Sequence, residues 1–133
     1  MGKAHNDRGQ SLLEFALLLP VLLLILAGVL DLGRLFFSHV AVTDAAAEGV
    51  AYAAIHPNDS AGIIERARTS SGGLIEIEED MVEIDCPNVS PGEPITVTVR
   101  YTFTLATPFV SAIVNDGELV LRGTTTGVIL SNN

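Results

Sequence analysis

The sequence predicts an α+β protein: a long amino-terminal helix, half of it in a membrane and half exposed, packed on a small antiparallel sheet of three to four strands. Three observations carry this reading. Residues 12–30 form a single apolar run, LLEFALLLPVLLLILAGVL, whose only charge is Glu14. Leu32, Leu35, Phe36, Val40, Ala47, Ala51 and Ala54 then recur at spacings of three, four or seven, the marks of one helical face. Further on, Ile95, Val97, Val99, Tyr101, Phe103 and Leu105 alternate with Thr96, Thr98, Arg100, Thr102 and Thr104, the period of a strand with one buried face.

The apolar run is long enough to matter. At about 1.5 Å per residue its helix rises about 28 Å, close to the hydrocarbon thickness of a bilayer. A backbone in lipid must satisfy its own hydrogen bonds, so a helix is the expected form. Lys3 and Arg8 precede the run, whereas Asp31, Arg34, Asp44 and Glu48 follow it. The positive-inside rule therefore places the amino terminus in the cytoplasm and everything after about residue 31 across the membrane. A cleaved secretory signal fits less well, because its apolar stretch is usually about 7–15 residues and the nearest small-residue cluster, Ala45–Ala47, lies far beyond the run.

The charge is uneven. The whole chain has net charge −9, and residues 31–133 hold 14 acids against 5 bases. An acidic exterior repels phosphate, so no nucleic acid is expected as a partner. The single cysteine, Cys86, excludes an intramolecular disulfide framework and a multi-cysteine zinc site.

Glu14 is the anomaly. A carboxylate at mid-membrane costs about 2.5–3.5 kcal/mol or more, and intramembrane acids are by default partnered and functional. Snorkelling toward the headgroups is the alternative. The cation nearest in sequence is Arg8; a new amino terminus made by cutting the chain close to Glu14 would serve better.

Arg8-Gly9-Gln10-Ser11-Leu12-Leu13-Glu14-Phe15, then Ala16 to Pro20, then Asp31-Leu32-Gly33-Arg34-Leu35-Phe36, resembles the amino-terminal signature of TadE-like proteins. These are pilin-like (pseudopilin) subunits of tight-adherence, Flp-type pilus systems, related to type IV pilins. The resemblance is dense over residues 8–37 and thin afterwards. It implies a prepilin-type leader of residues 1–9, a transmembrane helix of residues 10–30, and an extracytoplasmic pilin-like domain of residues 31–133. It also implies that a prepilin peptidase cuts between Gly9 and Gln10, leaving Glu14 fifth and Phe15 sixth in the mature chain. Many type IV pilins begin with phenylalanine, and here Gln10 would be first. The cut would remove Lys3 and Arg8 and expose an α-amine of pKa about 7.7–8.0. Such an amine could pair with Glu14 of a neighbouring subunit in low dielectric, favouring one axial register. The partners implied are the peptidase, other pilin or pseudopilin subunits, the inner-membrane assembly machinery and the lipid bilayer.

The remaining elements follow in order. Pro20 removes one backbone bond inside the apolar run and tends to kink it, which membrane helices tolerate. The first helix is predicted over residues 11–55, stopped by His56-Pro57. Its alanine-rich stretch, residues 41–54, lets another backbone approach closely, either its own sheet or a neighbouring helix. Asp59 or Ser60 can cap a second helix running to Thr69, with Ser70 to Gly73 as a loop. Met81–Cys86 reads as a strand that residues 74–77 extend, with Val82, Ile84 and Cys86 on one face. Thr107-Pro108-Phe109 interrupts the strand of residues 95–105, and Asn115-Asp116-Gly117 turns the chain into a last strand, residues 118–130.

Little catalytic chemistry can be assembled. His5, His39 and His56 are scattered without metal-helix spacing, and no nucleophile elbow or phosphate-binding glycine loop is present. No catalytic residue, metal or cofactor is predicted. Cys86 reads as a small buried apolar residue. The acids of residues 76–93 lack the spacing of a calcium loop and read as a solvated strand edge protected by charge. The rival to a pilus subunit is an unprocessed single-pass protein whose acidic domain binds a ligand or partner.

Overall fold

The computed structural model describes residues 7–107, Ala112 and residues 117–131, the side chains of residues 7 and 8 excepted. Lys3, His5, the Pro108-Phe109 break and the Asn115-Asp116 turn lie outside the described residues. Helix α1 runs unbroken over Asp7–Ala53, with Pro20 inside it. It ends two residues short of the prediction because the amides of Ile55 and His56 both turn back to the carbonyl of Tyr52, at 3.1 and 3.0 Å. Pro57 has no amide to continue the ladder. The helix is long and apolar enough to cross a membrane. From Gly9 to Leu30 none of its residues is buried by the rest of the chain.

Helix α2 follows at Ser60–Ser70, a short 3₁₀ turn at Glu79–Met81, then strands β1 at Val82–Asp85, β2 at Pro94–Thr104 and β3 at Glu118–Val128. The strands form one antiparallel sheet in the order β1-β2-β3. Val82 and Gly123 both stand opposite Val99. Residues 74–77 do not extend β1. Ile75 and Ile77 are buried, but their carbonyls are taken by side chains: Ser71 Oγ donates to Ile75 at 2.9 Å and Arg68 Nε donates to Ile77 at 2.9 Å. With those acceptors used locally, no ladder forms there.

The second half of α1 lies on its own sheet. Ala41, Val42, Ala45, Ala46, Val50 and Ala53 form the buried face, and Val42, Ile63, Ile95, Val97, Val99 and Ile129 are the largest fully enclosed side chains. This close seat depends on glycine: a Cβ on Gly123 would stand 2.5 Å from the carbonyl oxygen of Val42. The stripe through Leu32, Phe36, Val40, Ala47 and Ala51 faces away and is exposed. On the outer face of the sheet Thr96 bonds Thr126 at 2.8 Å, Thr98 bonds Thr124 at 3.2 Å, and Arg100 pairs with Glu83 at 2.7 Å. Cross-strand pairs of this kind fix register.

One expectation needs adjusting. Cys86 lies just past β1 and is half-buried, its thiol donating to the carbonyl of Asn88 at 3.5 Å. The three strands described fall within the three to four expected. The seven acids of residues 76–93 are all exposed.

Candidate functional site

The predicted processing segment occupies the first turns of α1. Gly9 and Gln10 follow Asp7 by only two and three positions. Gly9 is exposed, and a Cβ there would meet open space. Four residues on, the Gln10 side-chain amide donates to Glu14 Oε1 at 3.0 Å. Helical geometry brings those two side chains to one face. Glu14 therefore has a donor within its own chain. Phe15 is exposed on the next face, and Pro20 lies a turn and a half further along the uninterrupted helix.

A second constellation sits where the apolar run ends. Asp31 is 4% exposed, the most enclosed charged residue among those described. Its carboxylate accepts from the amide of Ala106 at 3.1 Å, the amide of Thr107 at 2.8 Å and the hydroxyl of Thr107 at 2.6 Å. Arg34, one turn along the helix, donates to its other oxygen at 3.2 Å. The Arg34 guanidinium lies 5.2 Å above the Phe103 ring. The chain leaving β2 is thus tied to α1 beside Leu30. The sequence placed Asp31 and Arg34 in a motif but offered no sign of Ala106 and Thr107, which lie 75 and 76 positions away.

The other end of the exposed half-helix is tied by a different carboxylate. Asp59 accepts from the Gly62 amide at 2.9 Å, capping α2, and from the Tyr52 hydroxyl at 2.8 Å, joining α2 to α1. The Gly62 amide, then the Tyr52 hydroxyl, hold the Asp59 carboxyl below its ordinary range against the opposing effect of burial. The same bond raises the Tyr52 phenol. His56 stacks on Tyr52 at 4.7 Å, with its Nδ1 buried and unpartnered, and Arg66 covers the ring at 5.6 Å.

Among the described residues, no three His, Cys, Asp or Glu side chains gather closely enough to hold a metal ion. What the geometry supplies is a rod with an acid near its start, anchored to its head at two levels. Residues 9–51 match a family model described as TadE-like protein. No curated protein and no solved structure matches the chain.

Proposed function

From the match of residues 9–51 to the TadE-like family, we propose that the chain is a membrane-anchored, pilin-like structural subunit taking part in assembly of tight-adherence, Flp-type pili. Its role in this reading is non-enzymatic. Residues 10–30 cross the cytoplasmic membrane, residues 1–9 face the cytoplasm, and the acidic α+β head lies outside. A prepilin peptidase removes residues 1–9, and the mature chain joins other pilin or pseudopilin subunits at the inner-membrane assembly machinery.

The observation that carries this reading is the placement of Gly9, Gln10 and Glu14 on the long apolar helix α1, just ahead of its charge-free stretch. A peptidase must draw the scissile peptide into an extended form. Glycine, about 1 kcal/mol worse than alanine in a helix, lowers the cost of unwinding there. The cut also relieves the cytoplasmic tether, because Lys3 and Arg8 leave with the leader.

Mass spectrometry of the protein extracted from membranes tests the proposal. A mature chain beginning at Gln10 is expected, and Gly9→Val should leave the longer, uncut form. A wild-type chain that starts at Met1 or Gly2 would overturn the processing and favour an unprocessed single-pass protein with a ligand- or partner-binding head.

A further inference from the structure

The charge-free part of the apolar run is short for a bilayer. Between Glu14 and Asp31 lie the 16 residues Phe15–Leu30, which rise about 24 Å as a helix. The hydrocarbon core is about 30 Å thick, so roughly 6 Å must be found beyond one end, or the membrane must thin. At the Glu14 end the acid is followed by Leu13 and Leu12, which with it add about 4–5 Å, and then by the polar Ser11 and Gln10. At the Asp31 end the situation is different, because that charge is not presented to its surroundings. Its oxygens are occupied by the amides of Ala106 and Thr107, the Thr107 hydroxyl and Arg34, and the head covers it.

Around this sheathed carboxylate, Arg34 apart, the large exposed side chains are apolar. Leu32, Phe36 and Phe37 are each about two-thirds exposed on α1. Leu74, from the connection between α2 and the 3₁₀ turn, is 71% exposed. It faces Phe37 and Arg34 across a groove of about 270 Å³ floored by Tyr101 and Phe103. Two connections of the head therefore descend to the same level of the helix: the one carrying Leu74, and the one that leaves β2 and bonds Asp31. Phe37 stands about 10 Å along the axis from Leu30. The uncovered hydrocarbon, about 2 Å with Leu12 and Leu13 counted and about 6 Å without them, plus a headgroup layer of about 5–7 Å, extends about 7–13 Å past Leu30, the level of Phe36 and Phe37.

Resting on the reading of residues 10–30 as a membrane span, we propose that the head is seated on the bilayer, with Leu32, Phe36, Phe37 and Leu74 forming an apolar rim in the headgroup layer and Arg34 facing the lipid phosphates. The occupant of this exposed surface is lipid, because the surface continues that of the span and the charge set in it, Arg34, is of the sign that lipid phosphates attract. Arg34 suits the position. Its guanidinium gives one donor to Asp31 and keeps the rest outward, its side chain being 57% exposed. Arginine so placed buries its stem along apolar neighbours and keeps its charge in the wet layer. The seat sets how close the head sits to the membrane before assembly, and leaving the membrane then requires uncovering this rim.

The chain contains no tryptophan, so single-tryptophan variants of the full-length protein report their own depth. Four are needed in phosphatidylcholine vesicles whose acyl chains carry bromine, a short-range quencher. Leu22→Trp marks the middle of the span, and Val128→Trp marks the exposed far end of the sheet. Leu74→Trp and Phe37→Trp test the rim from the head and from the helix. The rim variants should lose at least about twice the fraction of emission that Val128→Trp loses, as interfacial residues at the headgroup boundary do. Quenching at Leu22→Trp with none at either rim site would overturn the seat while leaving the span intact. Absence of quenching at Leu22→Trp would remove the span and the seat together. Rim tryptophans shielded from aqueous acrylamide yet unquenched by bromine would also overturn it, since a protein surface would then be the cover.

Discussion

Asp31 meets four donors with two charged oxygens. Asparagine has nearly the same shape but one acceptor oxygen and no charge: with that oxygen turned to the two amides and the hydroxyl, its NH₂ faces the Arg34 guanidinium, donor to donor, and the remaining bonds lose their charge assistance. Asp31→Asn should therefore loosen the tie between α1 and the chain leaving β2, whereas Thr107→Val, which removes one donor, should do so less. Amide hydrogen exchange at Ala106 and Thr107 reads this directly. Asp31→Asn is expected to speed it by roughly tenfold or more, the factor associated with losing a hydrogen bond to a charged group. Unchanged exchange at those two amides would show that the tie is dispensable. The corresponding bond at the far end, from Tyr52 to Asp59, is shorter in sequence and was half legible. Asp59 reads as a helix cap from its position before Ser60, but nothing in the sequence points to Tyr52.

Helix α1 and strand β3 touch backbone to backbone, and the small residues of both elements make this possible. An alanine at Gly123 would place its methyl against the carbonyl of Val42. The clash is with main chain and cannot be relieved by a rotamer change. Gly123→Ala should cost about 1–3 kcal/mol, the usual penalty of overpacking, or at least about 4 °C of melting temperature for a head of this size. Gly33→Ala, where a Cβ meets nothing, is the control and should melt no lower than wild type. Equal melting of the two variants would mean that helix and strand stand further apart. These contacts also explain what the sequence could and could not reveal. The alternation of residues 95–105 was plain because its buried side chains are large and its outer ones are mostly threonine. The helix was harder, because alanines occur on every side between residues 41 and 54. The stripe with the largest side chains, from Leu32 to Val40, is the exposed one, and the sheet chose the face with the smallest. Residues 74–77 look like a strand by pattern, yet two side chains claim their carbonyls, a competition no periodicity records.

For the molecule as a whole, the decisive charge is Glu14. In the single chain it is served by Gln10; in the proposed assembly it would gain a neighbour's α-amine as well. Glu14→Leu should insert at least as well as wild type, since removing an intramembrane charge lowers a cost of about 2.5–3.5 kcal/mol at mid-membrane. It should still be cut after Gly9 if the peptidase does not read the glutamate. It should then fail to enter crosslinked oligomers or pili, measured beside the amount of mature protein. Normal assembly of this variant would assign the glutamate to the membrane interface alone, with Gln10 as its sufficient partner.

The exposed half of α1 is both the continuation of the apolar run and the slab on which the sheet is built, with a carboxylate tie at each end. The head therefore cannot swivel about the apolar half of the helix, and in the proposed assembly travel along the axis is geared to rotation like the thread of a screw. Sliding past a neighbour by one residue moves the head about 1.5 Å, and presenting the same helix face again then takes a turn of about 100°. Torque applied to the apolar half of α1 is passed to the outer surface, so a subunit pushed out of register would also point the wrong way.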